Sequence, residues 1–397
     1  MTLRYDLEVP HITKYMGSKK QIIDFVVNAI NDVHTDGRTI CDLFAGSGVL
    51  SGTLRNQAPI ISNDIQQYSS ILANMYLGNY NWDENPNILR DIIEFATQKV
   101  ATFRASYPDL TYDYNQEFTL LTFNVLEQHQ KNLINMDFPD IDYHLFVKYY
   151  SGTYWSFEQC LWIDSLKAAA DQYENTPFYY VIMSSLMFAM SYNSQSTGHY
   201  AQYRDATTES SMNDILIYRR KEILPYFMRK FEELRNSLQG NNNFENQVVA
   251  MDYLDCLDII PPYTVVYADP PYCFVHYSRF YHAIETLVRY DYPQVLHKGR
   301  YRNDRHQSPF CIKSQVHNAF RLMFERIADR EANLVLSYSD TGMIALEELI
   351  DLASTTLGEA NYELEVRYQD YAHSTMGRKE DKSRNVRESL ILARRIV

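Results

Sequence analysis

Near the start of the chain, the spacing of apolar side chains alternates between that of a helix and that of a strand. Residues 19–33, KKQIIDFVVNAINDV, space them as an amphipathic helix does. TICDLF (39–44) is a short apolar strand that breaks into AGSG, and VLSGTLR then restarts as a helix. APIISND (58–64) has the pattern of a second strand. The order of these elements predicts a βαβ unit.

Beyond residue 84 the pattern changes twice. From 85 to 245, long amphipathic segments such as ILRDIIEFATQKVATF predict a mainly helical insertion. Strand patterns return in NQVVAMDYL, YTVVYADPP and ANLVLSYSD, and the chain closes with two predicted antiparallel strands, YELEVRYQDY and RESLILARRIV. We therefore predict an α/β protein in which residues 1–84 and 246–397 form one Rossmann-like sheet domain, interrupted by an inserted domain, residues 85–245.

Composition is that of a soluble globular protein, with 46% hydrophobic and 22% charged residues. The N-terminus lacks the apolar core of a secretory signal, and no apolar run is long enough to cross a bilayer. The five cysteines are scattered without a CxxC spacing, which argues against a zinc site or a disulfide framework. We expect a cytoplasmic protein with no bound metal and no membrane contact.

The net charge of −13 disfavours a nucleic-acid partner at first sight. Phosphate contacts need only a local basic face, however, and residues 298–321, KGRYRNDRHQSPFCIKSQVHNAFR, supply a basic run with a single acid. A solvated charged face is the alternative. The phosphate contacts predicted in this run are Lys298, Arg300, Arg302 and Arg305.

A glycine-rich turn follows the first strand, in DLFAGSGVL. Gly46 and Gly48 allow the backbone there to approach a ligand closely, and the helix that follows offers free N–H groups. Asp64 ends the next strand, 18 residues after Gly46, where an acid can accept both hydroxyls of a ribose. The motif has no third glycine, which favours a nucleoside such as S-adenosylmethionine over a pyrophosphate cofactor. A purely structural turn is the alternative.

The tetrapeptide DPPY, residues 269–272, follows another apolar strand. Asp269 would lie at the carboxyl edge of the sheet, where a buried carboxylate needs donors. Pro270 and Pro271 remove two N–H groups and stiffen the turn, which leaves acceptors facing outward beside the aromatic ring of Tyr272. Such a cluster suits an exocyclic aromatic amine, which carries two N–H donors. A proline-rich turn with no ligand is the alternative.

Together these motifs resemble the site-specific DNA adenine-N6 methyltransferases whose cofactor motifs come first and whose DPPY comes last. TKYMGSKKQII (13–23) is similar to the motif that helps hold the methionine part of the cofactor, and VVAMDYLD (248–255) is similar to the element that flanks its adenine. LVLSYSDTGM (334–343) resembles the strand bordering the target-base pocket. The insertion falls where this group carries its target-recognition region.

The resemblance implies S-adenosylmethionine as the cofactor and double-stranded DNA as the substrate. It also implies direct transfer of the methyl group to N6 of an adenine that has been flipped out of the duplex. Asp269 and the Pro270 carbonyl would accept the amine hydrogens, and Tyr272 would stack on the ring. The cofactor contacts that it implies are Tyr15, Met16, Gly17, Lys19, Asp42, Phe44, Ala45, Gly46, Gly48, Asp64, Ile65, Asp252, Tyr253 and Asp269.

Some implied contacts have structural alternatives of equal or similar weight. Lys19 would pair with the cofactor's carboxylate and Lys14 would approach the target, whereas solvated helix-end lysines are the alternative. Phe280 and Tyr281 would form the second wall of the base pocket, or simply pack a helix. The histidine and tyrosine of GHYAQYR, His199 and Tyr200, would touch DNA, or the histidine would be satisfied within its loop.

Rival functions stay open on the sequence alone. Cytosine-N4 methylation uses the same chemistry, but Asp at 269 and the motif order favour adenine. Protein-glutamine methylation, which usually shows Asn at that position, ranks lower, and an inactive DNA-binding protein on the same scaffold is the third alternative. We expect a monomer, with a cognate restriction endonuclease as a candidate partner.

Overall fold

The computed structural model describes residues 3, 9–13, 19–195, 199–271, 274, 276–339, 342–373 and 384–396. The strands are β1 (Ile40–Asp42), β2 (Ile60–Asn63), β3 (Gln247–Val249), β4 (Val265–Ala268), β5 (Val295–Leu296), β6 (Tyr301–Arg302), β7 (Asn333–Ser339), β8 (Tyr362–His373) and β9 (Arg384–Arg395). The helices are α1 (Ile23–Val33), α2 (Val49–Thr53), α3 (Gln67–Leu77), α4 (Ile88–Ser106), α5 (Leu120–Lys131), α6 (Leu145–Tyr150), α7 (Phe157–Asp171), α8 (Pro177–Asn193), α9 (Glu209–Arg219), α10 (Ile223–Ser237), α11 (Tyr253–Ile259), α12 (Tyr277–Phe280), α13 (His282–Arg289), α14 (Val316–Asp329) and α15 (Leu346–Leu357). Short 3-10 helices are Lys19–Ile22, Trp82–Glu84, Asn132–Asn135 and Pro309–Cys311.

Seven strands form the main sheet, in the order β3-β2-β1-β4-β7-β9-β8. The first five strands of that order pair in parallel, whereas β9 runs antiparallel to both β7 and β8. Strands from both ends of the chain thus share one sheet, which confirms the predicted Rossmann-like α/β class. The chain leaves β1 towards β2 on one side and later returns to β4 on the other side. This reversal opens a crevice at the carboxyl ends of β1 and β4.

Helices cover both faces of this sheet because successive strand residues point to opposite sides. Val265 and Tyr267 of β4 belong to the core that α1 and α2 cover. Val266 and Ala268 belong to the opposite core, beneath α11, α14 and α15. All four side chains are buried, so β4 is a central strand covered on both faces. Its last residue therefore delivers Asp269 to the sheet edge from a fixed backbone.

Helices α4 to α10 occupy the middle of the chain, and the described residues between β2 and β3 contain no strand. The buried cluster of this helical segment also takes in side chains of α3 and α13, among them Tyr68, Leu72, Ile284 and Leu287. The segment therefore packs continuously against helices of the sheet region. Its status as a separate domain with the boundaries 85–245 stays a prediction.

The predicted basic run begins in a short hairpin formed by β5 and β6. His297 and Arg300 in its turn have left-handed φ values of 58° and 53°, which are uncommon for residues other than glycine. Among all the described residues, no helix is both long enough and apolar enough to cross a bilayer.

Candidate active site

A cavity opens where the strand order reverses, at the carboxyl ends of β1 and β4. It encloses about 1120 Å³ of empty space, its open mouth included, which is room for a nucleoside-sized ligand. Many of the predicted site residues line it together: Lys19, Asp42, Phe44, Ala45, Gly46, Asp64, Ile65, Asp252, Tyr253, Asp269, Pro270 and Pro271. The fold thus brings the two predicted motifs into one cavity, while the role of each residue stays a prediction.

Five predicted residues cannot be placed. Lys14, Tyr15, Met16, Gly17 and Tyr272 lie outside the described residues. The N-terminal motif is therefore represented at the site by its last part, in which Lys19 lies on the cavity wall. Tyr272, the aromatic residue of DPPY, is one of these five.

The glycine-rich turn leaves β1 with two left-handed glycines. Gly46 has φ 51° and Gly48 has φ 69°, a region that L side chains rarely adopt. Gly46 lines the cavity, whereas a Cβ on Gly48 would lie 3.2 Å from the backbone nitrogen of Ala73 in α3. Gly48 is not among the cavity-lining residues. Its geometry therefore indicates close packing against α3, and its predicted contact with the cofactor stays a prediction.

Asp64 closes the same turn from β2. Its Oδ2 accepts the Gly46 N–H at 2.9 Å and its Oδ1 accepts the Gln66 N–H at 2.9 Å. Burial raises the pKa of Asp64 to about 6, while the backbone donors act in the opposite direction. The carboxylate is thus held rigidly on the cavity wall with lone pairs left for a hydroxylated ligand.

Asp42 ends β1 and is 2% exposed. Its Oδ1 has no hydrogen-bond partner within the described part of the chain. Burial, followed by the charges of Asp269 and Asp64, raises the pKa of Asp42 well above its usual value. A buried acceptor without a donor is costly, so this atom fits a ligand that brings a donor into the cavity.

Asn63, which sequence reasoning missed, fixes two loops of the site. Its Nδ2 donates to the Leu43 carbonyl at 3.1 Å, and its Oδ1 accepts the Met251 N–H at 3.2 Å. The amide therefore ties the end of β1 to the segment that carries Asp252 and Tyr253. Asp252 caps α11 by accepting the Leu254 N–H at 2.9 Å. The position of Asn63 at the tip of a predicted strand was the available signal.

Three aromatic rings form an apolar wall. Phe44 stacks on Tyr253 with ring centroids 5.9 Å apart, and Phe310 packs edge-on against both, at 5.4 and 5.0 Å. Phe44 and Tyr253 were predicted, but Phe310 was missed because it lies in the middle of a run singled out only for its charge. These rings give the cavity a surface suited to a planar base.

The acid of DPPY shares one lysine with a second carboxylate. Lys19 Nζ lies 3.1 Å from Asp269 Oδ1 and 2.8 Å from Glu388 Oε1, and Ser337 also donates to Glu388. The side chains of Lys19 and Glu388 are 5% and 0% exposed, whereas Asp269 is 18% exposed on the cavity side. Glu388 was missed, although an acid within the apolar strand pattern of RESLILARR was a visible signal.

This arrangement sets the ionisation of Asp269. Burial raises its pKa to about 6; Lys19 acts to lower it, and Glu388 to raise it. The described partners of Lys19 are therefore carboxylates of the protein itself. The predicted pairing of Lys19 with a carboxylate of the cofactor stays a prediction.

Burial argues against several predicted DNA contacts. Tyr200 and Tyr281 are buried, and Tyr281 packs in the helical core with its ring 5.8 Å from that of Tyr68. His199 packs on Phe280 at 4.6 Å and accepts the Ala201 N–H at 3.3 Å. Tyr281 thus packs as its structural alternative predicts, and the burial of Tyr200 argues against its predicted contact with DNA.

The basic run does not form one exposed face, and burial argues against two of its predicted phosphate contacts. Arg300 is 9% exposed and donates to the backbone carbonyls of Tyr149 and Lys131. Arg302 is 2% exposed and pairs with Asp291 at 2.6 Å and with Asp304 at 3.1 Å. The Arg300 guanidinium is thus engaged by backbone carbonyls, and that of Arg302 by two carboxylates whose own side chains are exposed. Lys298 is exposed but pairs with Asp205, and Arg305 stays a candidate.

The chain is similar to known proteins over most of its length. A family model described as D12 class N6 adenine-specific DNA methyltransferase matches residues 15–351. The chain is 22% identical over 370 residues to the modification methylase LlaI of Lactococcus lactis subsp. lactis, covering 90% of this chain and 51% of that protein. It is 24% identical over 346 residues to the type II methyltransferase M.FokI of Planomicrobium okeanokoites, covering 85% and 46%.

A third relative, the type II methyltransferase M.NlaIII of Neisseria lactamica, is 21% identical over 353 residues, covering 85% of this chain and 86% of that protein. The chain thus spans about half the length of the first two relatives and most of the third. The similarity extends through both halves of the sheet and the helical segment between them.

Proposed function

Because the chain belongs to the D12 class N6 adenine-specific DNA methyltransferases, we propose that it methylates the N6 amine of adenine in a specific double-stranded DNA sequence. The observation that supports this most directly is the placement of Asp269, Pro270 and Pro271 on the wall of one cavity with Asp64 and Gly46. A methyl-donor site and an amine-binding site then adjoin each other. The family favours adenine over the rival cytosine.

We propose S-adenosylmethionine as the methyl donor. When bound, it supplies an electrophilic methyl group on a sulfonium centre. The described cavity lining carries four carboxylates, Asp42, Asp64, Asp252 and Asp269, but one lysine, which suits a ligand with cationic groups. The orphaned Oδ1 of Asp42 and the aromatic wall of Phe44, Tyr253 and Phe310 fit the amine or hydroxyl donors and the planar base of such a molecule.

Asp269 is proposed to accept a hydrogen of the adenine amine, with the Pro270 carbonyl accepting the other. Neither Pro270 nor Pro271 can donate a backbone N–H, so the turn presents acceptors. Lys19 holds Asp269 Oδ1 at 3.1 Å and favours its charged form. A fixed carboxylate accepts better than a protonated one, so the amine is oriented for attack. As the sulfur–methyl bond breaks and the nitrogen–methyl bond forms, the amine would lose one proton to the Asp269 carboxylate and from there to water.

Reaching this cavity requires the adenine to leave the duplex, since a stacked base cannot enter it. Tyr272 and Phe280 are proposed as its aromatic neighbours, and Lys14 as a contact near the target. The helical segment is proposed to read the sequence. A monomeric cytoplasmic enzyme with a cognate endonuclease partner remains our proposal for its setting.

The test is to express the chain in cells that lack adenine methylation and to sequence their DNA for N6-methyladenine. We expect one short motif to be methylated by the native chain and by Asp36→Ala, which changes an exposed acid at the opposite edge of the sheet. Asp64→Ala should lose methylation and saturable binding of S-adenosylmethionine. Native protein that binds the cofactor but leaves every adenine unmodified would contradict the proposal.

A further inference from the structure

Two arginines, each next in sequence to a residue that lines the cavity, lie near one tyrosine ring. The Arg279 guanidinium lies 5.5 Å from the centroid of Tyr301 and that of Arg305 lies 6.0 Å from it. Arg279 Nε also donates to the Tyr301 hydroxyl at 3.2 Å. Stacking of this kind holds a guanidinium in place while leaving its charge uncompensated. We call Arg279, Tyr301 and Arg305 the arginine bracket.

The bracket joins two segments that are distant in sequence. Arg279 belongs to α12, a few residues after the DPPY turn, whereas Arg305 follows β6. Ser278 Oγ donates to the His306 carbonyl at 2.5 Å and so fastens one segment to the other. His276, Ser278 and His306 line the cavity that also holds Asp269. The bracket therefore stands at the rim of the proposed amine-binding site.

Its charges are unusual for this part of the protein. Nearby basic side chains pair with carboxylates: Lys298 with Asp205, and Arg289 and Arg302 with Asp291 and Asp304. Among the described residues, no carboxylate oxygen forms a salt bridge with Arg279 or Arg305. A protein of net charge −13 has many acids available, so two unpaired arginines at one rim indicate a ligand that is itself anionic.

Unused donors point the same way. Arg305 Nη1 and His276 Nδ1 are buried and lack hydrogen-bond partners in the described structure. Buried polar atoms are normally satisfied, so these two fit an acceptor that is supplied from outside the chain. Burial, then the charges of Arg305 and His306, lowers the pKa of His276, so the His276 ring lies near both of those groups.

We propose that Arg279, Arg305 and His276 bind a phosphodiester group of the DNA backbone next to the target adenine. This rests on the proposed function and deepens it. Flipping rotates a nucleotide about its backbone, so a held phosphate beside the cavity fixes the axis of that rotation. The guanidinium forks match phosphate oxygens, and contacts of this kind position DNA without reading its sequence. The bracket is thus a backbone anchor for base flipping.

The matched control lies at the other edge of the sheet. Arg38 precedes β1 and stacks over the ring of Tyr263 at 4.8 Å, so it resembles Arg279 in chemistry but not in place. Arg38→Gln removes the same charge from a stacked arginine that is remote from the cavity. Thermal unfolding and S-adenosylmethionine binding, measured on every variant, identify proteins that remain folded.

The experiment uses a duplex containing the motif that is mapped in cells. We expect Arg279→Gln and Arg305→Gln each to weaken DNA binding about tenfold and to lower the slope of log affinity against log salt by about 1. Arg38→Gln should change neither quantity. Arg279→Lys, which keeps the charge, should keep most of the slope. Native affinity and slope in both glutamine variants would overturn the proposal.

A second arm locates the phosphate. Duplexes carrying one neutral methylphosphonate, moved step by step around the target adenine, should show one linkage that weakens binding of the native protein. The same linkage should cost Arg279→Gln and Arg305→Gln little further, because the contact is already lost. Equal losses in native and variant proteins at every linkage would overturn the anchor. A native protein that methylates no DNA would instead remove the proposed function, which separates the two failures.

Discussion

Two clusters of buried charge, one in the helical segment and one at the sheet edge, differ in the balance between cations and anions. In the helical segment Arg219 pairs with Glu127 through two contacts, at 2.9 and 2.7 Å, and also donates to the Thr153 carbonyl at 2.7 Å. Tyr114 donates to the same glutamate. One cation meets one anion, and the side chains of Arg219 and Glu127 are 0% and 4% exposed.

At the sheet edge a single lysine serves two carboxylates. Lys19 bridges Asp269 and Glu388, and burial, followed by the charge of Asp269, raises the pKa of Asp42. Within the described part of the chain, this cluster has one cation for two carboxylates, and Lys19 and Asp269 line the ligand cavity. We infer from this difference that a cluster with equal numbers of cations and anions has a structural role. A cluster with an excess of carboxylates beside a cavity has a ligand-binding role.

The strongest test of this difference is to replace one carboxylate by its amide in each cluster. Asp269→Asn should lower turnover at saturating cofactor by at least about 10³-fold, because a preorganised acceptor becomes partly a donor. Glu127→Gln should leave turnover per folded molecule unchanged. Methyl transfer from labelled S-adenosylmethionine to DNA measures both. Comparable turnover in the two variants would end the distinction.

The helical cluster should in turn dominate stability. Arg219→Leu leaves Glu127 buried without its partner and should reduce the free energy of unfolding by about 3–5 kcal/mol. The double variant Glu127→Leu, Arg219→Leu should recover much of the loss, because no charge remains buried. Urea unfolding followed by circular dichroism checks this. A single variant as stable as the native chain would show that the pair is not structural.

Lys19 should set the pH range of the enzyme. Asp269, with a pKa of about 6, is a carboxylate above that pH and loses acceptor capacity below it, so kcat/KM for DNA should fall as pH drops through 6. Lys19→Gln removes the charge that lowers this pKa and should move the fall to higher pH. Rates measured across pH 5–9 at saturating cofactor test both expectations, and an unmoved profile would contradict the role of Lys19.

Protonation of Asp269, which should lower activity, should raise the free energy of unfolding. The native Asp269 takes up a proton near pH 6, whereas its ordinary value is 3.8. Between these values the native state binds more protons than the unfolded chain, so this group's contribution to stability falls as pH rises. Asp269→Asn should remove that part of the dependence in urea unfolding measured at pH 4.5 and 6.5.

The smallest expected effect concerns the aromatic wall, which neither charge cluster shares. Phe310→Leu removes one edge-on ring contact with Phe44 and one with Tyr253, at 5.4 and 5.0 Å. Aromatic pairs contribute about 0.5–1.5 kcal/mol, so S-adenosylmethionine should bind about two- to tenfold more weakly. Phe123→Leu, in the helical segment, should lower stability without changing that affinity. Calorimetric titration distinguishes the two.

Local patterns predicted much of the site because strand ends specify position. A buried run followed by a polar residue marks the carboxyl edge of a parallel sheet, and the structure brings Asp42, Asp64 and Asp269 together at that edge. The antiparallel end of the chain was predicted for the same reason, from its alternating and apolar runs. Spacing along the chain was sufficient for these features.

The distribution of charge along the chain predicted exposed basic residues less well than strand ends predicted the cavity. Arg300, Arg302 and Arg305 belong to one basic run, yet the first two are buried and engaged while the third keeps a free Nη1. Asp291, eleven positions before Arg302, neutralises it through folding of the intervening hairpin. A run of like charges therefore shows which residues are charged, but it does not predict which of them are exposed.

The sequence by itself determined the sheet class, the glycine turn with Asp64, and the DPPY acid after its strand, because periodicity and strand termini are local properties of the chain. Tertiary structure decided that Glu388 shares Lys19 with Asp269, that Phe310 completes an aromatic wall, and that Arg279 and Arg305 flank one ring. Each of these depends on contacts between segments far apart in sequence. Which charges remain unbalanced is set by those contacts, since burial and pairing exist only once the segments have packed.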